Sequence, residues 1–281
     1  MNKKGKLYLV ATPIGNLDDI TIRAIKVLQN VDLIAAEDTR HSLKLLNHLE
    51  ISKPLISYHR HNEENKTEVL INKLLNGENI ALITDAGTPA ISDPGEEVVK
   101  QAIEKEIEII PIPGACALIN AIICSGMNTR EFAFYGFLPL NKKLRKNKFE
   151  EIKKENKTII LYEAPHKINQ TLKDILQEVG DVNIVLAREL TKIHEEFIRG
   201  KISEIIEKYT DLKGEMIIVL EGNKFDNSTD KLTELLNNMS IEEHYNYYKK
   251  QNLEKKEIVK KMAKDRNVNK NEIYMKVINF N

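Results

Sequence analysis

The chain has 281 residues, 42% of them hydrophobic and 30% charged, a composition typical of a folded globular protein long enough for two domains. Its formal net charge is zero, which excludes a uniformly basic nucleic-acid-binding protein but leaves room for a local basic surface. No apolar stretch approaches the ~20 residues that span a bilayer, and the first residues lack the apolar core of a signal peptide. We therefore expect a cytoplasmic protein.

The first 112 residues alternate short apolar runs with amphipathic segments, of which Ile20–Gln29 and Val69–Leu75 are typical of helices. Because strands that are covered on both faces are continuously apolar, the runs predict a parallel sheet in an α/β domain. The predicted strands are Leu7–Val10, Leu33–Ala36, Leu55–Ser57, Ile80–Thr84 and Ile107–Ile110.

A second α/β domain is predicted to follow. Pro111–Gly114 interrupts the pattern and predicts a helix from Ala115. That helix would carry Cys116 and Cys124 about 12 Å apart along its axis, too far for a disulfide. Further strands are predicted at Phe132–Phe137, Thr158–Leu161, Asn183–Ala187 and Met216–Leu220. The fold class is thus α/β, with domains at 1–112 and 113–226 and a ligand cleft between them.

One segment of the second domain concentrates positive charge. Residues 142–157 contain eight lysines and arginines against three glutamates. A local patch of this kind attracts a phosphate backbone, although a solvated helix face with Lys/Glu pairs fits the pattern equally well. The candidate RNA contacts are Lys142, Lys143, Arg145 and Lys146.

Residues 227–281 are predicted to form a linker and a small helical tail. Asn223–Asp230 is polar and typical of a linker, Lys255–Arg266 has a helical pattern, and Asn269 is a predicted cap for a second helix that buries Ile273 and Val277. Two helices around a tight turn at Asn267–Asn269 suggest helix-turn-helix geometry. A nucleic-acid-binding element and a helical hairpin packed on the catalytic body both fit this pattern.

Four segments rich in Gly or Pro each follow a predicted strand, where α/β proteins bind their ligands. Gly and Pro there allow backbone to approach a ligand closely or fix a turn that directs backbone donors at it. None is a Gly-x-Gly-x-x-Gly fingerprint or a phosphate-binding loop with its lysine, which disfavours a classical Rossmann or phosphate-loop fold. The four segments are Ala11–Asn16, Thr84–Pro89, Pro111–Cys116 and Tyr162–His166.

Seven segments of the chain form a recognisable series: 9–21, Ala36–Arg40, Ser57–Glu63, Thr84–Gly95, Pro111–Ala115, Tyr162–His166 and Ala187–Lys192. In order and at family-like spacing, they closely resemble the ribosomal RNA small-subunit methyltransferase I family, a branch of the tetrapyrrole methylases. The resemblance extends from about Gly5 to Gly222, and the tail matches only loosely. Lys167 departs from the pattern, since arginine is expected after Ala-Pro-His; the charge is kept but the planar fork is lost.

The resemblance implies a homodimer that transfers a methyl group from S-adenosylmethionine to the ribose 2′-hydroxyl of a decoding-centre cytidine in 16S ribosomal RNA, without a metal. The methyl donor would lie in the cleft, contacted largely by backbone, with Cys116 in the pocket wall. The implied contacts are Thr12, Pro13, Ile14, Asp85, Thr88, Ala90, Ala115, Cys116, Leu161, Ala187 and Gly214.

A ribose hydroxyl is a weak acid, so a general base would assist as its proton leaves. We favour the cluster of Glu37, Asp38 and Arg40, with the two carboxylates as candidate bases and Arg40 as a possible phosphate ligand, because charges directly after an apolar strand lie at the ligand edge of a sheet. For any one carboxylate, a structural ion pair or helix cap remains open. The other candidate bases are His59, Glu163 and Glu189, and Arg60 and Arg188 are further possible phosphate ligands.

Two other functions fit the sequence less well. One is a methyltransferase of the same superfamily that acts on a small tetrapyrrole, and the basic segment and the helical tail disfavour it. The other is a non-catalytic RNA-binding or assembly protein, which the intact ligand loops disfavour.

Overall fold

The computed structural model describes residues 3–210, 212–223, 235–266 and 268–280. The chain divides into two compact units, Met1–Gly222 and Asn223–Asn281. Most of the predicted linker, residues 224–230, lies outside the described residues, as does Asn267 of the predicted turn. The division of the larger unit at residue 112 remains a prediction.

The first sheet is parallel throughout, as the apolar runs predict, with the order β3-β2-β4-β1-β5. Every residue of β2 and β4 is buried, because helices cover both faces of the sheet. The strands are β1 (Lys6–Val10), β2 (Leu33–Ala36), β3 (Leu55–Ser57), β4 (Ile80–Ile83) and β5 (Glu108–Ile112). The connecting helices are α1 (Ile22–Asn30), α2 (Thr39–His48), α3 (Glu63–Leu75) and α4 (Glu96–Glu104).

The second sheet has the order β6-β7-β10-β8-β9, in which β6 pairs with β7 in parallel and the other described neighbours pair antiparallel. The strands are β6 (Phe132–Phe137), β7 (Thr158–Glu163), β8 (Asn183–Arg188), β9 (Glu196–Lys201) and β10 (Met216–Leu220). The helices are α5 (Ala117–Ile123), α6 (Lys142–Lys154), α7 (Ile168–Glu178) and α8 (Ile202–Lys208). Together the two sheets confirm the predicted α/β class, while β9 is an addition to the predicted strands.

Alternation along β7 and its neighbours decides which side chains reach the ligand side of this sheet. Ile160 packs with α5 in one core, whereas Ile159 and Leu161 pack in the core that contains residues of α6, α7 and α8. The helix predicted from Ala115 begins at Ala117, so Cys116 and Cys124 are its end caps, and both are free thiols.

The C-terminal unit has its own hydrophobic core. Its helices include α9 (Ile241–Lys249), α10 (Lys255–Asp265) and α11 (Lys270–Val277). The side chain of Asn269 accepts a hydrogen bond from the Asn271 N–H, which confirms that residue as a cap. The core residues include Ile258, Val259, Met262, Ile273 and Val277, as the helical periodicity predicts.

A buried histidine links α9 to the end of α10. His244 Nε2 lies 3.3 Å from Asp265 Oδ2, and Arg266 Nε donates to His244 Nδ1 at 3.0 Å. Burial, with Arg266 nearby, lowers the pKa of His244 and outweighs Asp265, so the neutral ring accepts from the guanidinium. Over the described ranges of both units, no helix combines the length and the apolar character needed to cross a membrane.

Candidate active site

Three of the Gly/Pro loops are held together at the carboxyl edge of the first sheet. The backbones of Thr12 and Gly87 exchange two hydrogen bonds, of 2.9 and 3.0 Å. Thr12 Oγ1 donates to the Thr84 carbonyl at 3.1 Å, and Thr88 Oγ1 donates to the Ala115 carbonyl at 3.1 Å. The loops that follow β1, β4 and β5 therefore form one rigid platform.

Glycine allows this close approach. A Cβ on Gly114 would lie 2.9 Å from the Cβ of Ala11, closer than carbon atoms pack. Gly87 has φ +83°, a conformation that L side chains rarely adopt, and a Cβ there would lie 3.2 Å from Ile14 Cγ2. Both positions thus keep the platform compact.

A cavity of about 390 Å³ lies between this platform and the second sheet, within the usual size of a small-molecule site. Most of its surface is apolar, and a few polar groups converge on it. Its lining residues include Ile14, Thr88, Asp93, Cys116, Phe137, Tyr162, Glu163, Ala187, Leu190, Met216 and Ile217.

Four of the predicted ligand residues line this cavity: Ile14, Thr88, Cys116 and Ala187. Thr12 and Ala115 lie in the platform behind it, joined to the lining residues by the hydrogen bonds above. The side chain of Leu161 is in the core on the far side of the second sheet, so only its backbone faces the ligand side. The other predicted contacts, Pro13, Asp85, Ala90 and Gly214, are not among the lining residues.

The cavity contains an acid that the sequence analysis did not single out. Asp93 lines the cavity and is half-buried, and burial raises its pKa to about 6. The negative charges of Glu37 and Asp85 add to this rise, whereas Arg60 opposes it. A carboxylate with a pKa near 6 ionises readily at neutral pH and still binds a proton appreciably, as a general base requires.

Glu37 belongs to the same acidic group. Its pKa is raised, first by burial and then by Asp85, while the Asp85 N–H, Arg60 and His59 oppose the rise. Glu37 is not among the residues that line the cavity. The structure therefore places Glu37 beside the cavity acid, at the end of β2, rather than on the cavity surface.

Asp38 and Arg40 are engaged with one another. Asp38 Oδ1 accepts from the Arg40 N–H at 2.8 Å as the cap of α2, and Asp38 Oδ2 pairs with Arg40 Nη2 at 2.8 Å. The bonds from Arg40 hold the pKa of Asp38 at about 2. This is the structural cap and ion pair that the sequence analysis left open, and Arg40 is 88% exposed.

The loop that carries Asp93 is backbone-strained. Ala90 and Ser92 both have φ +65°, a conformation that costs an L residue roughly 1–2 kcal/mol. Several hydrogen bonds hold the part of the loop around Asp93. The Ala90 N–H donates to the Pro94 carbonyl at 3.3 Å, Arg60 Nη2 donates to the Ser92 carbonyl, and the Gly95 N–H donates to Glu63 Oε1 at 3.0 Å.

Two further candidate bases have structural partners. Glu189 Oε1 accepts from the Glu215 N–H at 2.8 Å and from Lys192 Nζ at 3.2 Å, and the first of these bonds is the main cause of its lowered pKa. Glu163 borders the cavity, where Thr171 Oγ1 donates to its Oε2 at 2.5 Å and the Ala164 N–H donates to its Oε1 at 2.8 Å.

The basic segment forms α6, and one of its cations supports the cavity wall. Arg145 is bound to Asp174 and donates to Thr171 Oγ1 at 2.8 Å, and Thr171 in turn holds Glu163. Its side chain is 17% exposed. The three predicted RNA contacts that are exposed are Lys142, Lys143 and Lys146.

Comparison with known proteins identifies the family. The tetrapyrrole (corrin/porphyrin) methylase model matches residues 6–206. A Halalkalibacterium halodurans protein named ribosomal RNA small subunit methyltransferase I is 46% identical over 273 residues, 96% of this chain and 94% of its own. The protein of that name from Bacillus subtilis is 47% identical over 272 residues, with 96% and 93% covered. The chain belongs to the ribosomal RNA small subunit methyltransferase I family.

Solved structures agree with this family at the level of the fold. A diphthine synthase has a TM-score of 0.63 at 14% identity and covers 78% of this chain and 90% of its own. A cobalt precorrin-4 methyltransferase has a TM-score of 0.56 at 17% identity, with 76% and 94% covered. Both confirm the tetrapyrrole methylase architecture that the resemblance implies.

Proposed function

We propose that this protein transfers a methyl group from S-adenosylmethionine to the ribose 2′-hydroxyl of a decoding-centre cytidine in 16S ribosomal RNA. The observation that carries the proposal is Asp93, a carboxylate with a raised pKa on the wall of a mostly apolar cavity. It is supported by relatives that are 46% and 47% identical and are named for methylation of small-subunit ribosomal RNA.

The residues of the cavity fit the methyl donor. Ile14, Leu190 and Ile217 offer apolar surface for a flat aromatic base. When bound, S-adenosylmethionine supplies a methyl group that its sulfonium already activates. Among the described residues, no group of three His, Cys, Asp or Glu side chains is arranged to hold a metal ion.

We assign the general base to Asp93 and a tuning role to Glu37. Asp93 would accept the ribose hydroxyl proton on its carboxylate as the acceptor oxygen is methylated. After burial, the negative charge of Glu37 is the next largest cause of the raised pKa of Asp93. Asp38 would hold α2 in place, so that Glu37 stays at the end of β2.

Phe137 suits the entry of a nucleotide. It lines the cavity, is 55% exposed, and its ring lies 5.6 Å from that of Tyr162 in an edge-on contact. An exposed aromatic ring is a common platform for an unstacked RNA base. The basic helix α6 begins five residues later, at Lys142.

Helix α6 is predicted to contribute phosphate contacts. Replacing Lys142, Lys143 and Lys146 by glutamine should raise the KM for ribosomal substrate and lower the salt slope of RNA binding by roughly 2–3 units, since each lost contact lowers it by about 0.7–0.9. The affinity for S-adenosylmethionine should not change. Arg145→Gln is the contrasting variant, because it removes a wall support and should weaken S-adenosylmethionine binding instead. An unchanged salt slope in the triple variant would mean that these lysines of α6 face solvent and do not contact the RNA phosphates.

The proposed reaction is tested by incubating the protein with labelled S-adenosylmethionine and small ribosomal subunits that lack the modification. We expect label on the ribose of one decoding-centre cytidine. A tetrapyrrole precursor serves as the competing substrate. Label on a base, on another nucleotide or on the precursor would contradict the proposal.

We also propose that the protein is a homodimer, as the family resemblance implies. Its helix α5 exposes Ile119 and Ile123, at 43% and 62%. Light scattering at micromolar concentration should give twice the 32.2 kDa mass of the chain, and a monomeric mass would refute the dimer.

A further inference from the structure

The C-terminal unit carries a basic groove that the proposed reaction does not use. The groove, of about 970 Å³, is formed by α10 and α11 and the residues at the start of α10. Six lysines line it, against two glutamates, Glu254 and Glu257. The lysines are Lys255, Lys256, Lys260, Lys261, Lys264 and Lys270.

Three of these lysines form a row. Lys256, Lys260 and Lys264 are four residues apart along α10, so they lie on one face at intervals of about 6 Å. The opposite face of the helix is buried in the core of the unit. Like charges at this spacing destabilise an isolated helix slightly, so the row does not stabilise the fold.

The groove lysines differ in what already occupies their ammonium groups. Lys255 Nζ donates to the carbonyls of Ile278 and Phe280, and Lys261 Nζ lies over the ring of Tyr248, 5.2 Å from its centroid. The other four, Lys256, Lys260, Lys264 and Lys270, are exposed and have no hydrogen-bond or ion-pair partner within the described part of the chain.

An aromatic side chain accompanies the lysines. Tyr274 lines the same groove and is 50% exposed. A row of cations beside an exposed ring is the combination that binds single-stranded nucleic acid, because the cations contact phosphates and the ring stacks on a base.

We propose that this groove binds a single-stranded segment of RNA, with Lys256, Lys260, Lys264 and Lys270 on the phosphates and Tyr274 stacked on a base. The groove itself supports RNA binding, and only the identity of that RNA as ribosomal rests on the proposed function. The net positive charge of the groove complements a polyanion, and the row of lysines does not stabilise α10 itself.

The test uses the full chain and a short fluorescent single-stranded RNA. Substituting the four free lysines by glutamine should weaken binding by roughly tenfold or more and lower the salt slope by about 3 units, at ~0.7 per phosphate contact on a single strand. Tyr274→Leu should weaken binding while the salt slope stays unchanged, because stacking releases no counterions.

The matched control removes the same charge elsewhere. Lys26, Lys44, Lys100 and Lys173 are exposed lysines of the larger unit, and their replacement by glutamine should leave RNA affinity near that of the unmodified protein. Equal weakening in both quadruple variants, unchanged binding in the groove variant, or tighter binding of duplex DNA than of the RNA would each overturn the proposal.

Two further measurements separate this proposal from the proposed reaction. The groove variant should bind S-adenosylmethionine normally, since none of the four substituted lysines is among the described residues that line the cavity. If the unmodified protein methylates no ribosomal RNA but the groove variant still loses RNA binding, the reaction is refuted and the groove stands.

Discussion

Replacing Asp93 by asparagine is expected to lower kcat for methyl transfer by about 10²- to 10⁴-fold, the usual contribution of a general base. Asparagine keeps the size of the side chain but cannot accept the proton. The affinity for S-adenosylmethionine, measured by calorimetry, should change much less than kcat. Asp19→Asn, at an exposed aspartate, is the control and should be fully active.

The pH dependence gives an independent check on Asp93. With a pKa of about 6, the carboxylate is protonated in more acidic solution, so kcat should fall as the pH drops below about 6. Glu37→Gln removes a negative charge that raises this pKa, so the acid limb of the profile of kcat against pH should move to lower pH. A limb at the same pH in both proteins would contradict the role of Glu37.

Replacing Asp93 by asparagine should also stabilise the fold. Folding raises the pKa of Asp93 from 3.8 to about 6, so the folded protein holds the proton more tightly and its ionised form opposes folding at neutral pH. After a discount for partial exposure, Asp93→Asn should raise the free energy of unfolding by about 1 kcal/mol above pH 6. That gain should disappear below about pH 4, and urea titrations at pH 4 and 8 would measure the difference.

Gly114→Leu is expected to abolish S-adenosylmethionine binding in a protein that remains folded. Even the first carbon of the new side chain would lie 2.9 Å from the Cβ of Ala11, so the loops after β1 and β5 must separate. Ala115 and Cys116 directly follow, so the separation would displace one wall of the cavity. Calorimetry on the folded variant measures the loss.

Gly126→Leu is the matched control, since it adds the same side chain at a glycine with nothing within 4 Å of its Cβ position. Its φ of +77° gives a backbone cost of about 1–2 kcal/mol in stability, but the cavity is untouched. Unchanged affinity for S-adenosylmethionine in Gly114→Leu would place the binding site elsewhere.

The sequence predicts most of the fold because strands that are buried on both faces are continuously apolar in sequence. β2 and β4 are continuously apolar and fully buried, so the position of each strand follows from its run of apolar residues. β9 was missed because three of its six residues, Glu196, Arg199 and Lys201, are charged and leave an apolar run of only two, which an edge strand tolerates.

The site is less predictable, because chain position does not reveal which side chains share a cavity. Asp93 comes ten residues after the last residue of β4, and only the folded loop returns it to the sheet edge. Arg145 is indistinguishable in sequence from the exposed cations of α6, yet it binds Asp174 on α7. Asp38 and Arg40 follow an apolar strand as Glu37 does, but they pair with one another.

The left-handed conformations of Ala90 and Ser92 have a consequence for how this protein can evolve or be engineered. The loop is held in this shape by the hydrogen bond from Arg60 and by its own bond between Ala90 and Pro94, so substitutions that favour its relaxed form would be selected by a screen for heat resistance. Those substitutions would move Asp93 away from the cavity. Gains in heat resistance at this loop should therefore come with slower turnover, whereas gains at distant surfaces should not.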